Sequence, residues 1–246
     1  MRIRRTAAVA LAAVAVVGAG ALVADTVSAS RVEADLSAAI RPATPGLPAP
    51  QVTVGGGPTG RWSGEDRLAS VSVRVEGVDR PGLGPVTVEA TGADVDVRGG
   101  RGGPLTARET TVTVLLTGDV VGRALGLRDP LVAAADDPTL AGGTEHRARV
   151  TGTPEGTGAR ISAFVDLVVD ADGARLVPVA PATGPGGLPH QDPDLALART
   201  ALTLPPDVLP LGLAVETLTV RGGTIAATGT GGPGTAPLDG LARSDH

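Results

Sequence analysis

The chain has 246 residues, a formal net charge of −5 and a pI near 5.2; its basic side chains form no stripe, and aromatics make up 1% of it. That balance argues against a nucleic-acid partner, which would need positive charge and stacking surfaces. The 42% of hydrophobic residues suffices for a core built from Val, Leu, Ile and Ala, while the absence of Cys removes disulfides, thiolate metal sites and cysteine nucleophiles.

Arg2, Arg4 and Arg5 precede an apolar run from Ala7 to Val23. A basic start before such a run marks export, and residues 1–29 are read as a cleaved signal or a membrane anchor. Cleavage after Ala21 or Ala29 would suit the first reading; the length of the run leaves the second open. Either way, the remainder is expected outside the cytoplasm.

Ser28 to Ile40 is predicted to be a helix, because Val32, Leu36 and Ile40 recur every four residues and RPATPGLPAP then stops it. From Gln51 the pattern is mostly strand. QVTV is followed by the turn-rich GGGPTG. RLASVSVRVEGV, residues 67–78, then alternates with Val71, Val73 and Val75 on one side and Ser70, Ser72, Arg74 and Glu76 on the other. GPVTVEATGADVDV and ETTVTVLLTG continue the strands, separated by the loop RGGRGGP.

DVVGRALGL breaks the rhythm: Val120, Val121, Ala124 and Leu125 share a helical face, and Asp119 is placed to cap it. After the loop ADDPTLAGGTEH come a strand from Arg147 to Thr153 and the strand ARISAFVDLVVD. The latter puts Ile161, Ala163, Val165, Leu167 and Val169 on one side. DADG makes a hairpin turn into ARLVPVAP. DLALARTAL supplies one or two helical turns, LPPDVLPLGL is rich in Pro and Leu, and AVETLTV, Gly222-Gly223 and TIAATG form a last hairpin. Residues 30–230 read as one domain, and 231–246 as an unfolded tail.

Catalytic groupings are not expected. His146, His190 and His246 lie in loops and the tail; none has a second His or acid at a metal-ligand spacing, and Glu145-His146 alone is weak. Asp136-Asp137-Pro138 and Asp170 with Asp172 are better read as turns than as paired acids or a calcium loop. No Gly-x-Ser-x-Gly elbow occurs, and GRGGP does not join a strand to a helix. No catalytic residue, metal or cofactor is assigned. Trp62, the one Trp, stands in a polar turn as a packing cover or an interfacial contact.

The succession of SASRVEADLSAAI, VTVGG, RLASVSVRVEGV, TTVTVLLTGDVVGRALGL, HRARVTGT, RISAFVDLVVDADGARLVPV and LPPDVLPLGLAVETLTVRGGTIAATGTG resembles the LmeA-like phospholipid-binding proteins of actinobacterial cell envelopes. One departure stands out. Where the family carries Phe and Leu after VTVGG, this chain has GGPTGRWSGEDR, with Trp62 alone. The resemblance implies an α+β fold, a long curved antiparallel sheet wrapped around an N-terminal helix, similar to tubular lipid-binding folds. It also implies a non-enzymatic, exported protein that binds a glycerophospholipid such as phosphatidylinositol, meets a membrane surface and supports lipoglycan or mannan assembly. On that reading the acyl-chain contacts are Val71, Val73, Val75, Val112, Val114, Ile161, Val165 and Leu167. Two other readings remain. One is a structural or adhesive β-sandwich whose inward valines meet another sheet; the other is a lipoglycan-processing enzyme, which the lack of clustered acids and histidines disfavours.

Overall fold

Val, Ile and Thr recurring at alternate positions suit a pleated backbone with one face buried, and most of the chain obeys that rule. The computed structural model describes residues 33, 34, 37, 48–55, 67–96, 105–135, 146–183, 187, 188, 190–236 and 241. Among them are thirteen strands and two short helices.

Sheet 1 holds β1 (Gln51–Gly55), β2 (Arg67–Arg80), β3 (Gly84–Asp96), β5 (Glu109–Thr117), β12 (Thr224–Gly231) and β11 (Thr217–Arg221), in the spatial order β1-β2-β3-β5-β12-β11. The short strands β4 (Leu105–Ala107) and β13 (Gly234–Ala236) pair with each other, and β4 joins the end of β3. Sheet 2 holds β6 (Leu127–Ala134), β7 (Arg147–Pro154), β8 (Ile161–Asp170), β9 (Gly173–Pro181) and β10 (Leu202–Thr203), in the order β10-β9-β8-β7-β6. Helix α1 (Gly118–Leu125) links the sheets, and α2 (Pro193–Ala198) packs on β8 and β9.

The expected single long sheet around an N-terminal helix is therefore corrected. There are two antiparallel sheets, sheet 1 curls into a half-barrel, and the described residues contain no long N-terminal helix. The reason lies at the end of β5. Its second edge is occupied by β12, which returns from more than a hundred residues downstream. The chain leaving α1 finds that edge taken and starts a new ladder with β6. Of the predicted helix over Ser28–Ile40, only Glu33, Ala34 and Ser37 are described, all helical; the rest lies outside the described residues. So do the export segment, Trp62, RGGRGGP, Asp136-Asp137-Pro138 and His246.

Two local expectations also change. The N-cap of α1 is Thr117, not Asp119, and no side chain caps the helix. Asp119 sits instead in the first turn, where its charge favours the positive end of the helix dipole. Residues Gly234–Ala236 of the tail, where the sequence pattern predicts no element, form β13 through backbone pairing with β4.

The hydrophobic core is one contiguous cluster drawn from both sheets, from Val120, Val121 and Leu125 of α1, and from Leu204, Val208 and Leu209 of the Pro/Leu stretch. The sheets meet chiefly where β11 and β12 of sheet 1 contact β6, β7 and β8. His146 adds a polar link: its Nδ1 lies 3.3 Å from the carbonyl oxygen of Leu218.

Candidate apolar binding face

The inward side of sheet 1 is built in cross-strand rows. Val52, Val73, Ala90 and Val112 form one row from β1 to β5. Val75, Val88, Val114, Ala227 and Leu218 form the next, reaching β11. Leu116, Ile225 and Val220 form a third. Side chains directly opposite on neighbouring strands touch, so each row is a continuous apolar band. The outward side is polar. Ser72 and Thr91 share a hydroxyl contact at 3.2 Å, Thr113 and Thr228 another at 2.9 Å, and Arg74 lies between Glu76 and Glu89.

Sheet 2 repeats the arrangement. Val132, Val150, Ala163 and Pro181 make one row, and Leu167, Leu176 and Leu202 another. Its outward side carries the Arg147–Asp166 ion pair beside the half-buried Phe164.

All eight residues expected to contact acyl chains face inward and are buried: Val71, Val73 and Val75 on β2, Val112 and Val114 on β5, and Ile161, Val165 and Leu167 on β8. The fold places five on sheet 1 and three on sheet 2, all within the same core cluster. Sequence parity found the strands but missed what lies across them.

The Pro/Leu stretch does so. Leu204 N–H donates to the carbonyl of Ala174 on β9 at 2.9 Å. Pro205 then approaches the β2–β3 turn, its Cγ 3.9 Å from where a Cβ on Gly82 would stand. Further along, the carbonyl of Ala214 and the Leu209 side chain press against Gly229 of β12. A Cβ there would lie 2.2 Å from the Ala214 oxygen, which no side chain can accept. Gly229 sits opposite Val112, at the end of an apolar row, so residues 204–214 form a strap across the inner face of sheet 1. A glycine at an inward position of β12, in line with Ile225 and Ala227, was the available signal for that close approach.

The second feature missed is Arg80. Between Glu76 and Val78 the β2–β3 register shifts by one residue, at Gly77, whose φ of 77° suits glycine. This bulge reverses the parity of the last residues of β2. Val78 and Arg80 therefore face inward, in line with Val71, Val73 and Val75, and Arg80 is 2% exposed. The turn after it is held from α1, where Arg123 Nη1 donates to the Leu83 carbonyl at 2.7 Å.

No group of three or more His, Asp or Glu able to hold a metal is found among the described residues. His146 and His190 are exposed. Asp170 and Asp172 lie at the β8–β9 turn, where both pair with Arg175. What the geometry offers is an extended apolar face, closed by a strap and ending in a buried cation.

These features define a two-sheet antiparallel β protein with a continuous apolar interior. The chain belongs to the LmeA-like phospholipid-binding family, whose model matches residues 23–230. No curated protein and no solved structure matches it.

Proposed function

We propose that this protein is an exported, non-enzymatic carrier that holds the acyl chains of a glycerophospholipid against the inner face of sheet 1 and supports assembly of the cell envelope. The observation that carries this reading is the unbroken apolar band through Val73, Ala90, Val112 and their neighbouring rows, in a chain of a phospholipid-binding family. Burying one CH₂ is worth about 0.8 kcal/mol, so a chain of about sixteen carbons represents on the order of 12 kcal/mol. A shallow patch cannot recover that; a curled sheet under a strap can. Because the inner residues are closely packed, lipid access requires the strap to part from Gly229. The basic, apolar start of the chain supports placement outside the cytoplasm, released or anchored. Transfer between membranes and service to lipoglycan assembly are the roles that a carrier in that compartment would fill.

One observation favours a second reading. Val112, Val114 and Leu116 are fully buried by protein alone, as in a structural β domain whose inward side chains simply meet one another. Native mass spectrometry of protein made in bacteria separates the two. A carrier retains about one phospholipid per chain, or acquires it from liposomes; a structural domain stays empty in both settings.

A further inference from the structure

We propose that the strap is a stand-in for the lipid: Val208, Leu209 and Leu213 occupy the seat of the acyl chains, and a lipid binds by displacing them. This inference rests on the carrier reading above and adds to it where on the inner face the chains lie and how they enter.

The way the strap is fastened carries the argument. Its backbone hydrogen bonds to the sheets lie at its two ends, from the Leu204 N–H to the Ala174 carbonyl at 2.9 Å and from the Glu216 N–H to the Thr228 carbonyl at 2.8 Å. Between them, the Val208 N–H donates to the Pro205 carbonyl and the Leu213 N–H to the Pro210 carbonyl, both within the strap itself. Among the described residues, no backbone hydrogen bond joins 205–215 to a sheet. Pro205, Pro206 and Pro210 have no N–H to donate. What holds this stretch is apolar contact. Val208 and Leu209 are buried, and Leu211, Leu213 and Val215 pack partly buried against the core. Leu209 lies against Gly229, where a Cβ would come within 2.6 Å of its Cδ1. Leu213 lies against Gly231, where a Cβ would stand 3.2 Å from its Cδ2.

That fastening suits exchange with a lipid. The inner face is closely packed, so acyl chains must replace something there and cannot simply be added. The strands cannot leave without breaking their ladders, and α1 is tied to the β2–β3 turn through Arg123. The middle of the strap can lift while both end bonds stay intact. Acyl methylenes then restore to the face the contacts that Val208, Leu209 and Leu213 gave up. The lifted leucines close over the acyl chains, so their own surface stays out of water. Leu211 supplies the bend: its φ is 64°, and that of Gly212 beside it is 67°. Leucine is disfavoured in this left-handed region, so the closed strap carries strain that opening relieves.

The test uses the full chain and vesicles of phosphatidylcholine mixed with phosphatidylinositol, with lipid bound per chain read by native mass spectrometry over a range of vesicle concentrations. Truncating a stand-in side chain loosens the strap, and apparent affinity rises with the fraction of open chains. Leu209→Ala should therefore bind lipid at least tenfold more tightly than wild type while melting at a lower temperature. Val150→Ala, at a buried position of β7 outside the strap, should also melt lower but without the gain in binding. Unchanged or weaker binding by Leu209→Ala would overturn the proposal, because a side chain that lines the site or props the fold does not compete with lipid. Equal gains in both variants would overturn it too, since they mark a general loosening. Should Leu209→Ala fail to fold, Leu213→Ala decides by the same sign: tighter binding supports the displacement, and unchanged or weaker binding refutes it. A wild type and variants that all stay empty remove the carrier reading itself, whereas weaker binding by Leu209→Ala in a wild type that carries lipid strikes the displacement alone.

Discussion

Arg123 of α1 and Leu83 of the β2–β3 turn are joined by a 2.7 Å hydrogen bond from the guanidinium to the backbone carbonyl. The bond ties the helix that leads out of sheet 1 to a hairpin forty residues earlier. Arg123→Ala should cost about 1 kcal/mol, the size of one partly solvated hydrogen bond to a charged donor. In a chain of this length that lowers the melting temperature by roughly 2–4 °C. Hydrogen exchange should show the loss at the 81–83 turn; unaltered exchange there would mean that the bond holds nothing in place.

Gly122 sets two effects against each other. Alanine in a helix interior is favoured over glycine by about 1 kcal/mol. Here, however, a Cβ would meet Pro130 Cγ at 2.4 Å and Cβ at 2.5 Å, with the Leu127 carbonyl at 3.1 Å. Overpacking of that kind costs typically about 1–3 kcal/mol, and the ring of Pro130 has little freedom to yield. Gly122→Ala should therefore destabilise the protein in urea unfolding. A higher midpoint would mean that β6 shifts to make room.

Parity on β2 predicts a sharp contrast between neighbours. Val73 is buried on the inner face, whereas Ser72 lies on the outer face beside Thr91. Val73→Asp should lose several kcal/mol, because an isolated carboxylate must be desolvated or protonated. Ser72→Asp should change stability by about 0.5 kcal/mol or less. Thermal melts of both variants, run with lipid-uptake assays, check the contrast; equal tolerance would remove the buried face from the account.

Gln191 clamps β8 from outside the sheets. Its side-chain carbonyl accepts from the Ser162 N–H, and its amide nitrogen donates to the carbonyls of Ser162 at 2.8 Å and Ala182 at 3.1 Å. Ser162 is fully buried, so removing the clamp strands its N–H away from water, while the carbonyls of Ser162 and Ala182 keep the N–H groups of Ala182 and Leu188 as donors. Gln191→Leu should cost about 1–3 kcal/mol, the penalty of one unsatisfied buried group. Chemical denaturation measures this. A loss below about 0.5 kcal/mol would show that water replaces the amide at little expense.

Much of the architecture was legible because one period dominates it. The β2 alternation, the β5 strand over Glu109 to Thr117, the helix in DVVGRALGL, the DADG turn and the final hairpin all stand where local pattern placed them. β6 escaped because Asp129 and Pro130 look like a loop. An edge strand tolerates both, with a register shift between Arg128 and Leu131 absorbing the irregularity. The division into two sheets could not be read locally, since it depends on which distant strand claims the free edge of β5. Inward valines were legible as a face. Arg80 was not, because a single glycine inverts the count, and a charged residue on the wrong parity looks like surface.

The outer edge of sheet 1 has a further consequence. Among the described strands β1 has a neighbour on one side alone, and the Val54 N–H is taken by Glu33 Oε1 at 3.1 Å while Ser37 Oγ donates to the Pro50 carbonyl at 2.7 Å. Exposed strand edges invite other molecules to add strands of their own. The two helical residues thus cover an edge that would otherwise accept a further strand. Deprived of Glu33 and Ser37, two copies of this protein should zip together through β1 into a closed pair.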